Sequence, residues 1–483
     1  MDIANLEPKF LWQHFAGLCR IPRGSKNETA IVAHVEAEAK KRGLEVRRDS
    51  VGDLVVRIKA TPGHESAPTV VIQGHLDMVC EKNADTAHDF EKDPIRAVVD
   101  GDWVHATGTT LGADNGIGVA AGLALMDDTS AVHPALELLM TIDEESGMTG
   151  ALSMPSDFVS GRRLLNLDSE EDGTLYVGCA GGGNSELKLT LRRDASLKGF
   201  KAFTARVTGL RGGHSGLNIH ENRANAIKLL VRVLRDASAK MSLRLGAIDA
   251  GNKHNAIPRE ATAVVYVPTR KAAEFRKLVQ GWAKVLKDEF SGVEPDLRLE
   301  LASPPAARPK PITAAAAGRA LDLLAALPHG VLGMSQAIPG LVETSNNLAV
   351  VATEDRALRI VTSSRSSVGP TLQALLASVA AAGRLAGAEV IQGGGYPAWK
   401  PNMDSQLLKV ARETYKKMYG AEAKVTAIHA GLETGILGSR IAGLDMLSFG
   451  PQIEGAHSPT ERVNVASTAK FYDFFKGMLR ALA

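Results

Sequence analysis

The sequence predicts an α/β layered domain interrupted by a large inserted α+β region, and three observations carry that reading. Near the N-terminus, short unbroken apolar runs alternate with helical periods, the texture of a sheet covered by helices on its faces. From about Ser185 the runs instead alternate apolar and polar residues, as antiparallel strands with one solvated face do. From Gly393 to the end the α/β rhythm resumes. The expected division is therefore 1–184 and 393–483 for the layered domain and 185–392 for the insertion. The proline-rich stretch Ser303 to Pro311 divides the insertion into halves of about 185–305 and 306–392.

Taken in order, Pro8 to Cys19 carries Phe10, Leu11, Phe15 and Leu18 at helical spacing, and Asn27 is placed to cap a second helix reaching about Arg42 before Gly43. Leu54 to Lys59 and Thr69 to Gln73 read as strands, the second delivering Gly74-His75-Leu76-Asp77. Gly116 to Met126 has the small, aliphatic texture of a packed helix. Ala135 to Ile142 and Leu164 to Leu167 are further buried strands, delivering Asp143-Glu144-Glu145 and Asp168. In the insertion, strands are expected at Leu187 to Arg192, Ala202 to Val207, Thr262 to Val267 and Leu297 to Leu301, with a helix over Ala224 to Leu234. Beyond the proline-rich joint come a helix near Thr313 to Leu327, strands near Leu341 to Ala352 and Ala357 to Ser363, and a helix near Thr371 to Leu385. Gly393-Gly394-Gly395-Tyr396-Pro397 reads as the loop of return.

Composition narrows the function. The 483 residues amount to about three domains' worth of chain. With 45% hydrophobic and 23% charged residues, disordered and disulfide-scaffold classes are disfavoured. Lys and Arg number 56 against 54 Asp and Glu, so there is no basic field to hold a nucleic-acid backbone. Three cysteines without a Cys-x-x-Cys pair, no visible signal peptide and no apolar run of spanning length point to the cytoplasm rather than to export or a membrane.

The residues that carry chemistry stand at the ends of buried strands: His75 and Asp77, Asp114, Glu144 and Glu145, Asp168 and, much later, His457. Charges at such places need partners. Any one of them alone reads as a cap or turn residue, but together they offer the imidazole and carboxylate chemistry of zinc or a similar ion. More carboxylates than one metal needs suggest two metals sharing a bridge. Asp114, with glycines on both sides in Leu111-Gly112-Ala113-Asp114-Asn115-Gly116, is well placed to bridge. Glu144 and Glu145 are adjacent, so on an extended segment they point opposite ways, one to metal and one to substrate. Competing motifs are weaker. Gly116-Ile117-Gly118-Val119-Ala120-Ala121 matches a relaxed dinucleotide fingerprint but does not follow a strand directly, no Gly-Lys pair offers a P-loop, and Gly213-His214-Ser215-Gly216 is no nucleophile elbow.

Five motifs in order, Gly74-His75-Leu76-Asp77-Met78-Val79, Gly112-Ala113-Asp114-Asn115-Gly116, Asp143-Glu144-Glu145-Ser146-Gly147, Asn166-Leu167-Asp168 and Gly455-Ala456-His457-Ser458-Pro459, resemble the aminoacylase and carboxypeptidase family of dinuclear zinc peptidases, and most of all its dipeptidases. The resemblance spans nearly the whole chain. It implies a zinc-peptidase catalytic domain, a mixed sheet flanked by helices, carrying an inserted two-part α+β lid. It makes Asp114 the bridge, with His75 and Asp168 on one ion and Glu145 and His457 on the other, and Asp77 orienting His75. It makes Glu144 the general base toward a metal-bridging water. Gly212-Gly213-His214-Ser215-Gly216 resembles the lid motif whose histidine, His214, steadies the oxyanion. Asn255 and Arg365 would hold the substrate's carboxylate end, Arg365 through its two-pronged fork. His429-Ala430-Gly431-Leu432-Glu433 resembles a motif beside the site, which places Gly431 and Glu433 at the substrate; its usual following cysteine is Thr434 here, a departure that bears on substrate preference. The implied activity is hydrolysis of dipeptides with a free C-terminal carboxylate, Xaa-His among them, with two divalent ions, zinc first and cobalt or manganese as alternatives. A homodimer fits the family, although an insertion about twice the usual lid length suggests that each chain completes its own site. The other readings are an N-acyl amino acid deacylase with the same machinery, an inactive binding relative and a nucleotide-dependent enzyme.

Overall fold

The apolar run Val70–His75 becomes a strand buried at every position, and the rest of the first compact unit is organised around it in this computed structural model, which describes residues 2–194 and 196–483. The unit comprises Met1–Cys179, Pro401–Ala427 and Leu432–Ala483. Its eight-stranded sheet runs in the order Glu45–Arg48, Leu54–Ile58, Leu136–Thr141, Val70–His75, Arg163–Asn166, Asp445–Ser448, Thr174–Cys179 and Lys424–Ile428. The central pairings, from Leu136–Thr141 across to Asp445–Ser448, are parallel, while Leu54–Ile58 and Thr174–Cys179 pair antiparallel with the strands inside them. Val70–His75 therefore lies where the chain turns first to one side and then to the other, the point at which open sheets place their sites.

Helix Lys9–Cys19 buries Leu11, Trp12, Phe15 and Leu18, whereas Phe10 stays 40% exposed. It packs on Ala113–Ala124, whose glycines allow close approach: a Cβ at Gly116 would meet the Phe15 ring at 2.9 Å. The second helix begins at Thr29 with Glu28 as its cap position, so Asn27 lies one residue outside the expected role. A small sheet, Ile453–Glu454, Arg462–Asn464, Trp103–Ala106 and Ala97–Asp100, supports the hairpin that carries His457. Among the described residues no helix is long and apolar enough to cross a membrane.

The second unit comprises Ala180–Lys400 and Ile428–Gly431. One antiparallel sheet runs Arg298–Ala302, Phe200–Thr208, Ala261–Pro268, Arg244–Ala250, Val342–Thr353, Ala357–Ser366, Gly181–Thr190 and Ala388–Tyr396, with Gly330–Met334 added beside Val342–Thr353. Four strands that precede the proline-rich stretch, from Arg298–Ala302 to Arg244–Ala250, form one end of this sheet, and Ala250 pairs with Val351 to join them to the other end, where Gly181–Thr190, which also precedes the stretch, lies between the later strands Ala357–Ser366 and Ala388–Tyr396. The two ends do not form separate cores: Leu187, Val207, Leu230, Val265, Leu324 and Ile360 belong to one apolar cluster. Helix Ala272–Glu289, which buries Phe275, Val279 and Leu286, and strand Arg244–Ala250 were not foreseen. Gly393 to Tyr396 is no return loop: it continues the strand Ala388–Tyr396 against Gly181–Thr190, with a shift of register across Gly394 and Gly395, where Gly394 has φ 61°. The second unit accordingly runs to Lys400, past the expected joint at 392.

Candidate metal centre and active site

Two strands, a helix start and a hairpin of the first unit converge on one acidic cluster. His75 closes Val70–His75, and Asp168 follows Arg163–Asn166 by two residues. Asp114 stands at the start of Ala113–Ala124 with non-helical backbone, φ −79° and ψ 113°, after Gly112 in the left-handed region that a glycine reaches without strain. His457 sits at the tip of the hairpin between Ile453–Glu454 and Arg462–Asn464.

Asp114 lies between the two imidazoles. Its Oδ1 is 3.2 Å from His75 Nε2 and its Oδ2 is 3.1 Å from His457 Nε2. Asp168 Oδ1 approaches His75 Nε2 at 3.4 Å, and Glu145 Oε2 approaches His457 Nε2 at 3.1 Å. The cluster thus has two lobes that share one carboxylate. The His75 side chain is buried, whereas that of His457 is 52% exposed, leaving the second lobe open to solvent.

Glu144 and Glu145 do not lie on an extended segment. The strand ends at Thr141 and the chain turns through Asp143, whose φ is 54°. The turn is tied from beneath: Asp77, fully buried, accepts the Glu144 amide at 3.0 Å on Oδ1 and the Glu145 amide at 3.2 Å on Oδ2. Ser25 Oγ donates to Oδ2 at 2.7 Å, and His75 Nδ1 lies 3.3 Å from Oδ1. Asp143 in turn takes the hydroxyls of Ser146 and Thr149, and its own amide donates to Glu28 Oε1 at 3.0 Å. One buried aspartate therefore sets both the ring of His75 and the backbone of both glutamates.

The electrostatics describe a site that demands positive charge. Burial alone would lower the His75 pKa, yet Asp168, Asp114 and Asp77 hold it well above the usual imidazole range. Hydrogen bonds to Asp114 and Glu145 push His457 up to about 11. Burial raises Asp168 to about 6 and Glu144 well above the ordinary carboxylate range, with neighbouring carboxylates adding to the effect at Glu144. Glu145 Oε1 is buried with no hydrogen-bond partner. Two imidazoles and three carboxylates around a shared aspartate are the donor chemistry of zinc-like ions. The residues present fit two divalent ions.

In the second unit, His214 and Arg365 flank Gly216: a Cβ there would lie 3.2 Å from His214 Cε1 and 3.3 Å from Arg365 Nε. His214 Nδ1 accepts the amides of Leu217 at 3.0 Å and Gly216 at 3.3 Å, so its proton resides on Nε2. Burial, helped by Arg365, lowers its pKa to about 4, which makes it a neutral N–H donor. Arg365 Nη1 donates to the Tyr396 hydroxyl at 2.7 Å, and Nε is buried without a partner. Gly431 packs against Tyr396, where a Cβ would come within 2.6 Å of the ring. Asn255 is exposed, its carbonyl accepting the Ser215 amide at 2.8 Å.

Glu433 belongs to the first unit and is fully buried, with Oε2 accepting from Gln73 Nε2 at 2.7 Å and from Thr141 Oγ1 at 2.5 Å, so it ties together two neighbouring strands, while its Oε1 is buried without a partner. Burial raises it to about 8. Sequence reasoning also passed over Arg23, Glu461, Tyr396 and the buried Ser345 Oγ···His429 Nε2 contact of 2.7 Å. The nearest signals were the Ile21-Pro22-Arg23-Gly24-Ser25 stretch and the position of Glu461 four residues after His457.

Comparison with known proteins is consistent with this geometry. The model of peptidase family M20/M25/M40 matches residues 71–481. The chain is 40% identical to the cytosol non-specific dipeptidase of Escherichia coli (strain K12) over 482 residues, covering 100% of this chain and 99% of that protein. The crystal structure of aminoacylhistidine dipeptidase from Vibrio alginolyticus aligns with a TM-score of 0.91 at 39% identity, over 100% of this chain and 98% of that one. Aminopeptidase PepT from Bacillus cereus shares the fold, with a TM-score of 0.57 at 15% identity over 99% of both chains.

Proposed function

The chain belongs to peptidase family M20/M25/M40, and from that premise we propose how its residues divide the work of cleaving a dipeptide. It is a metal-dependent hydrolase of peptide bonds, a dipeptidase. The observation that carries the residue assignment is Asp114 set between two imidazole-carboxylate lobes. His75 and Asp168 would hold one divalent ion, Glu145 and His457 the other, with Asp114 common to both. Zinc suits these ligands best, with cobalt and manganese as alternatives. When bound, the ions supply a water acidic enough to attack at neutral pH and a Lewis acid for the scissile carbonyl.

Everything else is done by the chain's own groups. Glu144 takes the proton of the attacking water and returns it to the leaving amine, a role suited to a carboxylate whose surroundings favour its protonated form. Asp77 holds His75 in the tautomer that leaves Nε2 for metal. His214, neutral and carrying its proton on Nε2, donates to the developing oxyanion. Arg365 takes the substrate's C-terminal carboxylate, with Asn255 and the Gly431 backbone beside it. Substrates are dipeptides with a free carboxylate, Xaa-His included, and the compartment is the cytoplasm. An N-acyl amino acid deacylase would use the same ligands, but the two relatives that share 39–40% identity with this chain are named dipeptidases.

The test is a side-by-side assay of dipeptides, Xaa-His among them, and N-acetyl amino acids, with the enzyme as isolated, after chelation and after readdition of zinc, cobalt or manganese. Dipeptide hydrolysis lost on chelation and regained with metal is expected. Full activity without metal, or faster cleavage of acyl amino acids, would overturn the proposal.

A further inference from the structure

Two buried side chains with no role in the reaction described above grip the backbone on which the metal ligands ride. Glu461 is 2% exposed and its carboxylate accepts four successive amides: Leu111 at 2.7 Å and Gly112 at 3.0 Å on Oε2, Ala113 at 2.7 Å and Asp114 at 3.2 Å on Oε1. Its own amide donates to the Ser458 carbonyl at 3.0 Å, so the same residue closes the turn that begins at Ser458, the residue after His457. Arg23, 3% exposed, works on carbonyls. Its Nη1 donates to Leu76 at 3.0 Å and Asp77 at 2.9 Å, and its Nη2 donates to Gly112 at 2.5 Å. The fit leaves no slack, since a Cβ at Gly112 would lie 2.5 Å from Nη2 and one at Gly116 2.7 Å from it.

We infer that Arg23 and Glu461 are positioning residues that assemble the metal site before metal arrives, joining the His75–Asp77, Leu111–Asp114 and His457–Glu461 segments into one brace. The physical need is plain. Asp114, Asp168, Glu144 and Glu145 crowd their carboxylates together, and a free loop would relieve that repulsion by moving Asp114 away. A carboxylate bonded to four peptide amides and a guanidinium bonded to three carbonyls oppose this through the main chain, which a ligand's own side chain cannot do. The inference rests on the assignment of Asp114, His75 and His457 as metal ligands.

Glu461→Gln is the informative change, because it keeps size while turning one oxygen into an NH2 group that faces two N–H donors whichever way it lies. Arg23→Lys, whose ammonium cannot reproduce the planar fork, is the second variant and decides if the first fails to fold. Full-length wild-type and variant enzymes are loaded with zinc, checked for folding by circular dichroism, and titrated with a competing chromogenic chelator well below their melting temperatures. Zinc affinity is expected to fall ten- to a hundredfold, the range for residues that orient ligands, with kcat reduced and KM little changed. Zinc affinity and kcat within threefold of wild type in a folded variant, even with a lowered Tm, would show that the brace merely stabilises the fold and would overturn the inference. Wild-type protein that holds no zinc would overturn the ligand assignment itself, and this inference with it.

Discussion

Asp77→Asn removes a charge without removing volume at a residue that has four donors aimed at two oxygens. Whichever oxygen becomes NH2, it faces a peptide N–H: that of Glu144 on the His75 side, or that of Glu145 on the Ser25 side. The second arrangement costs less, because the Ser25 hydroxyl can rotate to accept. What remains is one orphaned buried amide, about 1–3 kcal/mol, and a weakened contact with His75, about 1 kcal/mol. Burial alone would raise the Asp77 pKa, but His75, Ser25 and the Glu144 amide together hold it at about 2. Against an unfolded value of about 3.9, that corresponds to about 2–3 kcal/mol of stability in metal-free protein, in agreement with the first figure. Because the folded pKa is the lower one, this contribution is complete above pH 4 and disappears as pH falls through about 2. Urea unfolding of chelator-treated proteins should therefore show the variant less stable by about 2–4 kcal/mol, with the same gap at pH 6 and pH 8, and zinc affinity should fall ten- to a hundredfold as His75 loses its orientation. Unchanged stability together with zinc affinity within twofold of wild type would show that Asp77 neither anchors the turn nor orients His75.

Zinc binding to metal-free protein at pH 7 should release at least two protons, because His75 and His457 are held protonated and must lose their protons to act as ligands, and Glu144 is held toward its protonated form as well; calorimetry in buffers of different ionisation enthalpy measures the number. Zinc affinity should consequently rise with pH over the neutral range. Asp53, raised to about 8 by burial first and then by Asp49 and Glu433, binds a proton in the fold that it lacks when unfolded, so its effect on stability worsens as pH climbs from about 4 to about 8. Asp53→Asn should raise Tm more at pH 8 than at pH 5, and an equal change at both would count against the shift. His214→Ala should lower kcat by about 10²–10³ with zinc content unchanged, as loss of an oxyanion donor does; wild-type turnover would remove His214 from that role.

The parts of this molecule that announced themselves were those whose side chains do the announcing. Val70–His75, Leu136–Thr141 and Arg163–Asn166 are short apolar runs that stop at polar residues, and such runs in an open sheet deliver those residues to one edge. Asp77 and Glu433 show the limit. Both are acidic residues near the site, yet which one serves substrate, metal or scaffold depends on burial that no spacing encodes. Arg23 and Glu461 were illegible for a deeper reason, since their partners are peptide groups, which every residue possesses. Gly393 to Gly395 misled in the opposite direction. Glycine is a turn signal, but here the run lies on the strand paired with Gly181–Thr190, where the Tyr396 ring packs so closely that a Cβ at Gly182 would meet it at 2.7 Å.

Whether Glu144 moves the proton while other residues hold the metal is decided by Glu144→Gln, with metal content and dipeptide turnover measured on the same preparation. The substitution keeps the shape of the side chain and leaves His75, Asp114, Glu145, Asp168 and His457 untouched. Wild-type zinc content is expected with kcat reduced by about 10²–10⁴ and KM nearly unchanged. Turnover within tenfold of wild type at full zinc content would contradict it.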